Sequence, residues 1–190
     1  MTRVREMAVG DAAAVSAVRV AGWRAAYAGV IPGAYLDAMS VERDAARREE
    51  RFAAGWAAGL CDLVAVGADG QVVGWACCGP RDTPGAGAGA GLGEGELYAL
   101  YVRPELLGRG VGRALLGAVH DEAAARGWGA LVLWVVEANA RARRFYEAAA
   151  YRADGGAQSA EYAGVAVREV RYRRVAGPFP AGPGHPSDGV

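Results

Sequence analysis

The sequence predicts an α/β domain, a mixed β-sheet flanked by helices. Three observations point there. Helical patterns stand near the start, an Asp-Gly hairpin signal sits in the middle, and a strand–helix–strand–helix–strand order fills the second half. The chain has 190 residues, 53% hydrophobic and 22% charged, which suits one domain with a sizeable core and excludes global disorder.

The segment "TRVREMA" reads as a short first strand. Asp11 then caps a helix whose apolar positions include Val15, Val18 and Val20, continuing through Trp23 and Tyr27. Pro32 and Gly33 stop it. One further helix is expected from Tyr35 to about Phe52, with Ser40 as an internal cap and "ERDAARREER" as its solvated face. From Cys61 the period changes: "CDLVAVGADGQVVGWACCG" holds two apolar runs around Asp69-Gly70, a hairpin. Alternation along its second strand turns Cys77 and Cys78 to opposite faces. The low-complexity "PRDTPGAGAGAGLGEG" is a flexible connector, either a mobile lid or a tolerated insertion.

"ELYALYVRP" is a strand ended by Pro104. A glycine loop leads into a helix from about Gly110 to Arg126, with Val111, Leu115, Val119 and Ala123 on one stripe beside Leu116. "ALVLWVVEA" is a strand buried on both faces, and Asn139 opens a helix through Ala149. "YRADG" and "VAVREVRYRRV" supply the last strands. Residues 1–176 thus read as one domain and the Pro/Gly-rich residues 177–190 as a disordered tail.

The totals narrow the partners. Net charge is zero, so nothing favours a nucleic acid. Cys61, Cys77 and Cys78 cannot all pair within one chain and lack metal-ligand spacing, so reduced cytoplasmic thiols and no metal site are expected. "MTRVREMAVGD" has no apolar signal core, and no run is long enough to span a bilayer.

The stretch "LLGRGVGRALL" carries the chemistry. A helix N-terminus exposes unpaired N–H groups and a partial positive charge, and glycines at 108, 110 and 112 let an anion approach the backbone. A Walker A loop needs a lysine, and this chain has none. A dinucleotide fingerprint would need its third glycine where Arg113 stands.

From "LYALYVRPELLGRGVGRALL" to "VVEANARARRFYEAAAYR" the chain resembles the GNAT superfamily of acyl-CoA-dependent N-acetyltransferases. The family loop Q/R-x-x-G-x-G/A appears as Leu107-Gly108-Arg109-Gly110-Val111-Gly112, with Leu107 in place of Gln or Arg. The second signature appears as Asn139, Ala142, Phe145 and Tyr146, then Ala150-Tyr151 where the family prefers Gly-Phe. Trp23, Tyr27 and "IPGAYLDAMS" also look like the N-terminal helices of bacterial members.

The resemblance implies a mostly antiparallel sheet with splayed central strands and acetyl-CoA as cosubstrate. It assigns pyrophosphate binding to the backbone of Gly108, Arg109, Gly110, Gly112 and Arg113, and pairing with the pantetheine amides to Leu100 and Val102. Asn139 is either a further cofactor contact or simply an N-cap. Tyr146 would be the general acid, since a phenol with a pKa near ~10 stays protonated at neutral pH and can donate to a leaving thiolate. Glu96 is the candidate base and Glu94 its neighbour; alternation gives the two a common face. Trp23 and Tyr27, four residues apart on α-helical spacing, either wall an amine pocket or pack the helix on the sheet. Asp37, Glu94 and Glu96 are the carboxylates available to counter a cationic amine. His120 reads as a structural histidine and His185 falls in the tail.

The expected activity is therefore transfer of acetyl to a primary amine of a small molecule by direct attack in a ternary complex. A protein N-terminal or lysine acetyltransferase and a non-catalytic acyl-CoA-binding module are the alternatives. A homodimer is common among such folds.

Overall fold

The computed structural model describes residues 2–54, 59–81 and 93–175. Seven strands form one sheet, in the order β1 (Arg3–Glu6), β2 (Cys61–Val66), β3 (Val72–Pro80), β4 (Glu94–Val102), β5 (Ala130–Val136), β7 (Val165–Val175) and β6 (Arg152–Tyr162). Neighbours are antiparallel except β4 and β5, which run parallel. Helices α1 (Ala12–Tyr27), α2 (Gly33–Asp37) and α3 (Val41–Ala53) precede the hairpin; α4 (Val111–Ala125) and α5 (Ala140–Ala148) follow β4 and β5. No described helix is long and apolar enough to cross a membrane.

Period-two alternation divides the core between the two faces. Leu63, Ala65, Ala76 and Cys78 join Leu115, Val119 and Ala123 of α4 on one side. Val64, Val66, Trp75 and Cys77 join Val15 and Val18 of α1 on the other. Cys77 and Cys78 thus face opposite ways, and Cys61, Cys77 and Cys78 are all free thiols.

The splay that matters lies between β4 and β5. Their pairing runs from Glu94–Ala130 to Leu97–Leu133 and stops, although β4 continues to Val102 and β5 to Val136. Beyond that point β4 stays with β3, and β5 stays with β7. The bend has a local cause. Cys77 and Cys78 face Ala99 and Leu97, so Tyr98 is an extra residue on β4, a β-bulge.

Several elements differ from expectation. The helix expected over 35–52 is two helices, because Ser40 takes an extended backbone (φ −112°, ψ 129°) and its Oγ accepts from the Arg43 N–H at 3.1 Å. Ser40 is therefore the N-cap of α3, not an internal residue. Asp11 stands at the start of α1, but its carboxylate turns back to Arg5, at 2.6 and 2.9 Å, and to the Ala8 N–H. The strand expected in "YRADG" extends to Tyr162 and forms a hairpin with β7; its small, mostly exposed side chains carry no apolar alternation. The connector 82–92 and the tail from 176 lie outside the described residues.

Candidate active site

The loop before α4 supplies an anion cradle. Gly108 (φ +80°) and Gly110 (φ +85°) take the left-handed backbone that favours glycine, and a Cβ at either would meet open space. The first hydrogen bond carrying the chain into the helix joins the Ala114 N–H to the Gly110 carbonyl at 3.0 Å. The helix therefore offers no acceptor to the N–H groups of Val111, Gly112 and Arg113, at its positive dipole end. A side chain at Gly112 would stand 3.5 Å from Phe145, an ordinary contact. One expected anchor is otherwise engaged: the Arg109 N–H donates to the Leu106 carbonyl at 3.3 Å. The Arg109 and Arg113 side chains are exposed beside the cradle.

The open edge of β4 lies next to it. The Arg103 N–H donates to the Val73 carbonyl at 2.9 Å, so position 103 faces β3. Alternate residues share a neighbour, which turns the backbone groups of Leu100 and Val102 towards the gap. Across the gap, Asn139 caps α5, its Oδ1 accepting from the Ala142 N–H at 3.0 Å. The N-cap reading of Asn139 accounts for that oxygen.

Two carboxylates share the face of β4 opposite α4, as alternation requires, and differ in environment. Glu94 takes Arg81 on one oxygen at 2.7 Å and Arg173 on the other at 2.9 and 3.0 Å. Burial pushes its pKa up, but the two arginines outweigh burial and hold it below the usual range. Glu96 approaches Arg81 only at 3.9 Å, and burial raises its pKa against the pull of Arg81 and Arg171. Of the two, Glu94 is clamped by two ion pairs and Glu96 carries the raised pKa. Asp37 stands exposed at the end of α2.

Tyr146 of α5 is 9% exposed and packs edge-on against Phe145 at 5.2 Å and Tyr151 at 5.8 Å. Burial, reinforced by the nearby Tyr27, pushes its phenol above the ordinary tyrosine range, so it holds its proton at neutral pH. A third phenol belongs with these two. Tyr101 of β4 stands within electrostatic reach of Tyr27 and Tyr146, and burial holds Tyr101 well above its ordinary pKa. Sequence reasoning quoted the strand of Tyr101 without singling it out. The available signal was its alternation with Leu100 and Val102, which sends its side chain to the α1 face.

Trp23 and Tyr27 enter an aromatic cluster. Trp23 lies 5.1 Å from Tyr27, 6.2 Å from Tyr35 and 5.7 Å from Tyr162, and Tyr35 lies 5.3 Å from Tyr162. These rings tie α1, α2 and the tip of the β6–β7 hairpin together. His120 lies behind the site, its Nε2 3.0 Å from the Tyr151 hydroxyl. The described residues contain no His, Cys, Asp and Glu grouping able to hold a metal ion.

Comparison with known proteins agrees with this geometry. Residues 30–151 match the profile of the acetyltransferase (GNAT) family. The chain is 33% identical over 116 residues to the uncharacterized N-acetyltransferase YuaI of Bacillus subtilis (strain 168), and the match spans 61% of each chain, less than two thirds of that relative's length. Among solved structures it resembles a protein described as of the GNAT family from Desulfovibrio desulfuricans, with 26% identity, a TM-score of 0.65, and 92% of this chain and 99% of that chain covered. It also resembles YncA of Salmonella typhimurium, solved with its cofactor acetyl-CoA, with 21% identity, a TM-score of 0.66, and 92% and 94% of the two chains covered.

Proposed function

The chain belongs to the GNAT family of acetyltransferases, whose cosubstrate is acetyl-CoA, and on that premise we propose that it acetylates a primary amine of a small molecule by direct attack in a ternary complex. One observation carries the reading: the gap between β4 and β5 joins an open strand edge to the bare N-terminus of α4. The residues present fit acetyl-CoA. The N–H groups of Val111, Gly112 and Arg113 suit its pyrophosphate, and Leu100 and Val102 offer a strand edge to its pantetheine amides.

Acetyl-CoA supplies an acyl group activated as a thioester. Glu96 takes the proton that the ammonium form of the acceptor must lose, since such amines have pKa values near ~10. The amine nitrogen bonds to the acyl carbon as the carbon–sulfur bond breaks, Tyr146 passes its phenolic proton to the departing sulfur, and the proton that the new amide nitrogen sheds restores the Tyr146 phenol. Tyr146 remains protonated for that task because its site is buried. The cluster of Trp23, Tyr35 and Tyr162 supports a small acceptor over a polypeptide, because it closes α2 onto the β6–β7 hairpin on the acceptor side.

The test is incubation with acetyl-CoA and a panel holding a polyamine, an aminoglycoside, an amino acid and a peptide with a free N-terminus. Thiol release matched by a product heavier by one acetyl group on a non-peptide amine supports the reading. Acetylation of the peptide alone overturns the acceptor class, no thiol release with any amine overturns the activity, and a covalent acetyl-enzyme overturns direct attack.

A further inference from the structure

Two aromatic side chains flank the mouth of the gap on the sheet face that carries Glu96, and neither takes part in the proton transfers proposed for Tyr146 and Glu96. The register fixes both. Gly79, Glu96, Val132 and Arg173 form one row across β3, β4, β5 and β7, so these positions share a face. Trp134, half-buried, stands two residues beyond Val132 on that face, with Arg171 opposite it on β7. Tyr98 is the bulge residue of β4, the first beyond the last β4–β5 pair at Leu97–Leu133. Its ring leans back over Gly79, where a Cβ would lie 3.3 Å from Cε2, and its hydroxyl donates to the Pro80 carbonyl at 2.7 Å. Gly79 is the cross-strand neighbour of Glu96, so the ring lies beside that carboxylate. Although tied at its tip, Tyr98 is 48% exposed. On the far side of Glu96, the Arg171 guanidinium lies 5.7 Å from the Trp134 ring and is fixed by Asp154 at 2.8 and 3.0 Å. Gly156 makes room for it, since a Cβ there would stand 2.7 Å from the Arg171 Nε.

Glu96 thus lies in a trough between two held rings. The charges around it are largely matched already: Arg81 and Arg173 take Glu94, and Arg171 takes Asp154. Glu96 is the carboxylate whose guanidinium neighbour stays at 3.9 Å. One positive charge can therefore be met by Glu96 and an aromatic face, whereas further positive charges would meet guanidiniums. We propose that Tyr98 and Trp134 are specificity-determining residues that select an acceptor bearing a single ammonium on a flat apolar body, an arylalkyl monoamine, over a polyamine or aminoglycoside. This rests on the acetyltransferase reading of the site and names its acceptor class. The ammonium sits against the exposed Tyr98 ring within reach of Glu96, and the apolar body lies on Trp134. No bond beyond those of acetyl transfer is made or broken.

The test compares 2-phenylethylamine, which carries one charge, with the polycation spermidine in thiol release from acetyl-CoA. The wild-type chain is expected to favour 2-phenylethylamine at least tenfold in kcat/KM, a ranking that needs no substitution. Tyr98→Leu and Trp134→Leu should each raise KM for it about tenfold, with acetyl-CoA affinity, read by calorimetry, unchanged. Tyr98→Phe, which keeps the ring, should stay within about threefold of wild type. Equal use of the two amines, a preference for spermidine, or no release with 2-phenylethylamine overturns the inference. So does an unmoved KM in either Leu variant, or a loss in Tyr98→Phe as large as in Tyr98→Leu. Each of these leaves the acetyltransferase reading intact wherever another amine releases thiol. A wild-type chain that neither binds acetyl-CoA nor releases its thiol with any amine overturns both.

Discussion

Glu94 gives its two oxygens to two arginines, Arg81 and Arg173, whereas Glu96, two residues along the same face of β4, meets Arg81 only at 3.9 Å. Burial acts on both side chains, and only at Glu94 do ion pairs overcome it. One strand thereby holds a carboxylate kept in its charged form beside one whose pKa burial raises.

A general base must be deprotonated, and the pKa of Glu96 is raised, so on the proposed mechanism activity falls as pH drops through a value above that of an ordinary glutamate. Glu96→Gln is expected to lower kcat by about 10²-fold and to abolish that acid limb, as read from a kcat–pH profile. Retention of the limb in the variant would assign it to another group.

Glu94 has the opposite sign. Its folded-state pKa is depressed, so its contribution is present above the ordinary carboxylate value and is lost as pH falls through the lowered one. Glu94→Gln should lower thermal stability by about 1 kcal/mol at neutral pH, with a smaller deficit in acid. Equal deficits across pH would show that the ion pairs contribute nothing.

On the proposed mechanism, Tyr146→Phe removes the proton donor without opening a cavity. Its kcat is expected to fall by about 10²- to 10³-fold while acetyl-CoA binding, measured by calorimetry, is retained. A fall of less than threefold would remove Tyr146 from the chemistry.

Ala150 adopts φ +67° just after α5, where the Tyr151 N–H returns to the Tyr146 carbonyl at 3.0 Å. That left-handed closing position normally takes glycine, and a side chain there costs roughly 1 kcal/mol. Ala150→Gly should therefore raise Tm by about 2–4 °C in a chain of this size. No rise would show that the turn relaxes.

His120 supplies a pH test of the core. Burial, with a smaller push from Arg174, lowers its pKa from 6.5 to about 4. The unfolded chain binds that proton more readily, so stability is full above pH 6.5 and declines as pH falls towards 4. His120→Leu should flatten the fall of Tm over that interval, and an unchanged slope would place the titration elsewhere.

What was legible in the sequence followed from local period and from motif. Val111, Leu115, Val119 and Ala123 repeat at helical spacing and are all buried in α4. The splay was visible only through the family resemblance, because its cause, the bulge at Tyr98, leaves no mark in an apolar strand. Ser40 was seen as a cap, yet the break it makes was not, since the pattern on either side reads as one helix. The clamp on Glu94 was hidden for a different reason. Arg173 lies 79 residues from Glu94 in the chain, and only the assembled sheet brings them together.

Thermal shift with acetyl-CoA, CoA, NAD and ATP side by side decides whether the cradle before α4 and the open edge of β4 form one cosubstrate site. Acetyl-CoA and CoA should each stabilise the chain, by about 2.7 kcal/mol at 100 times Kd, while NAD and ATP leave Tm unchanged. Stabilisation by NAD or ATP, or silence towards both CoA species, would contradict the assignment.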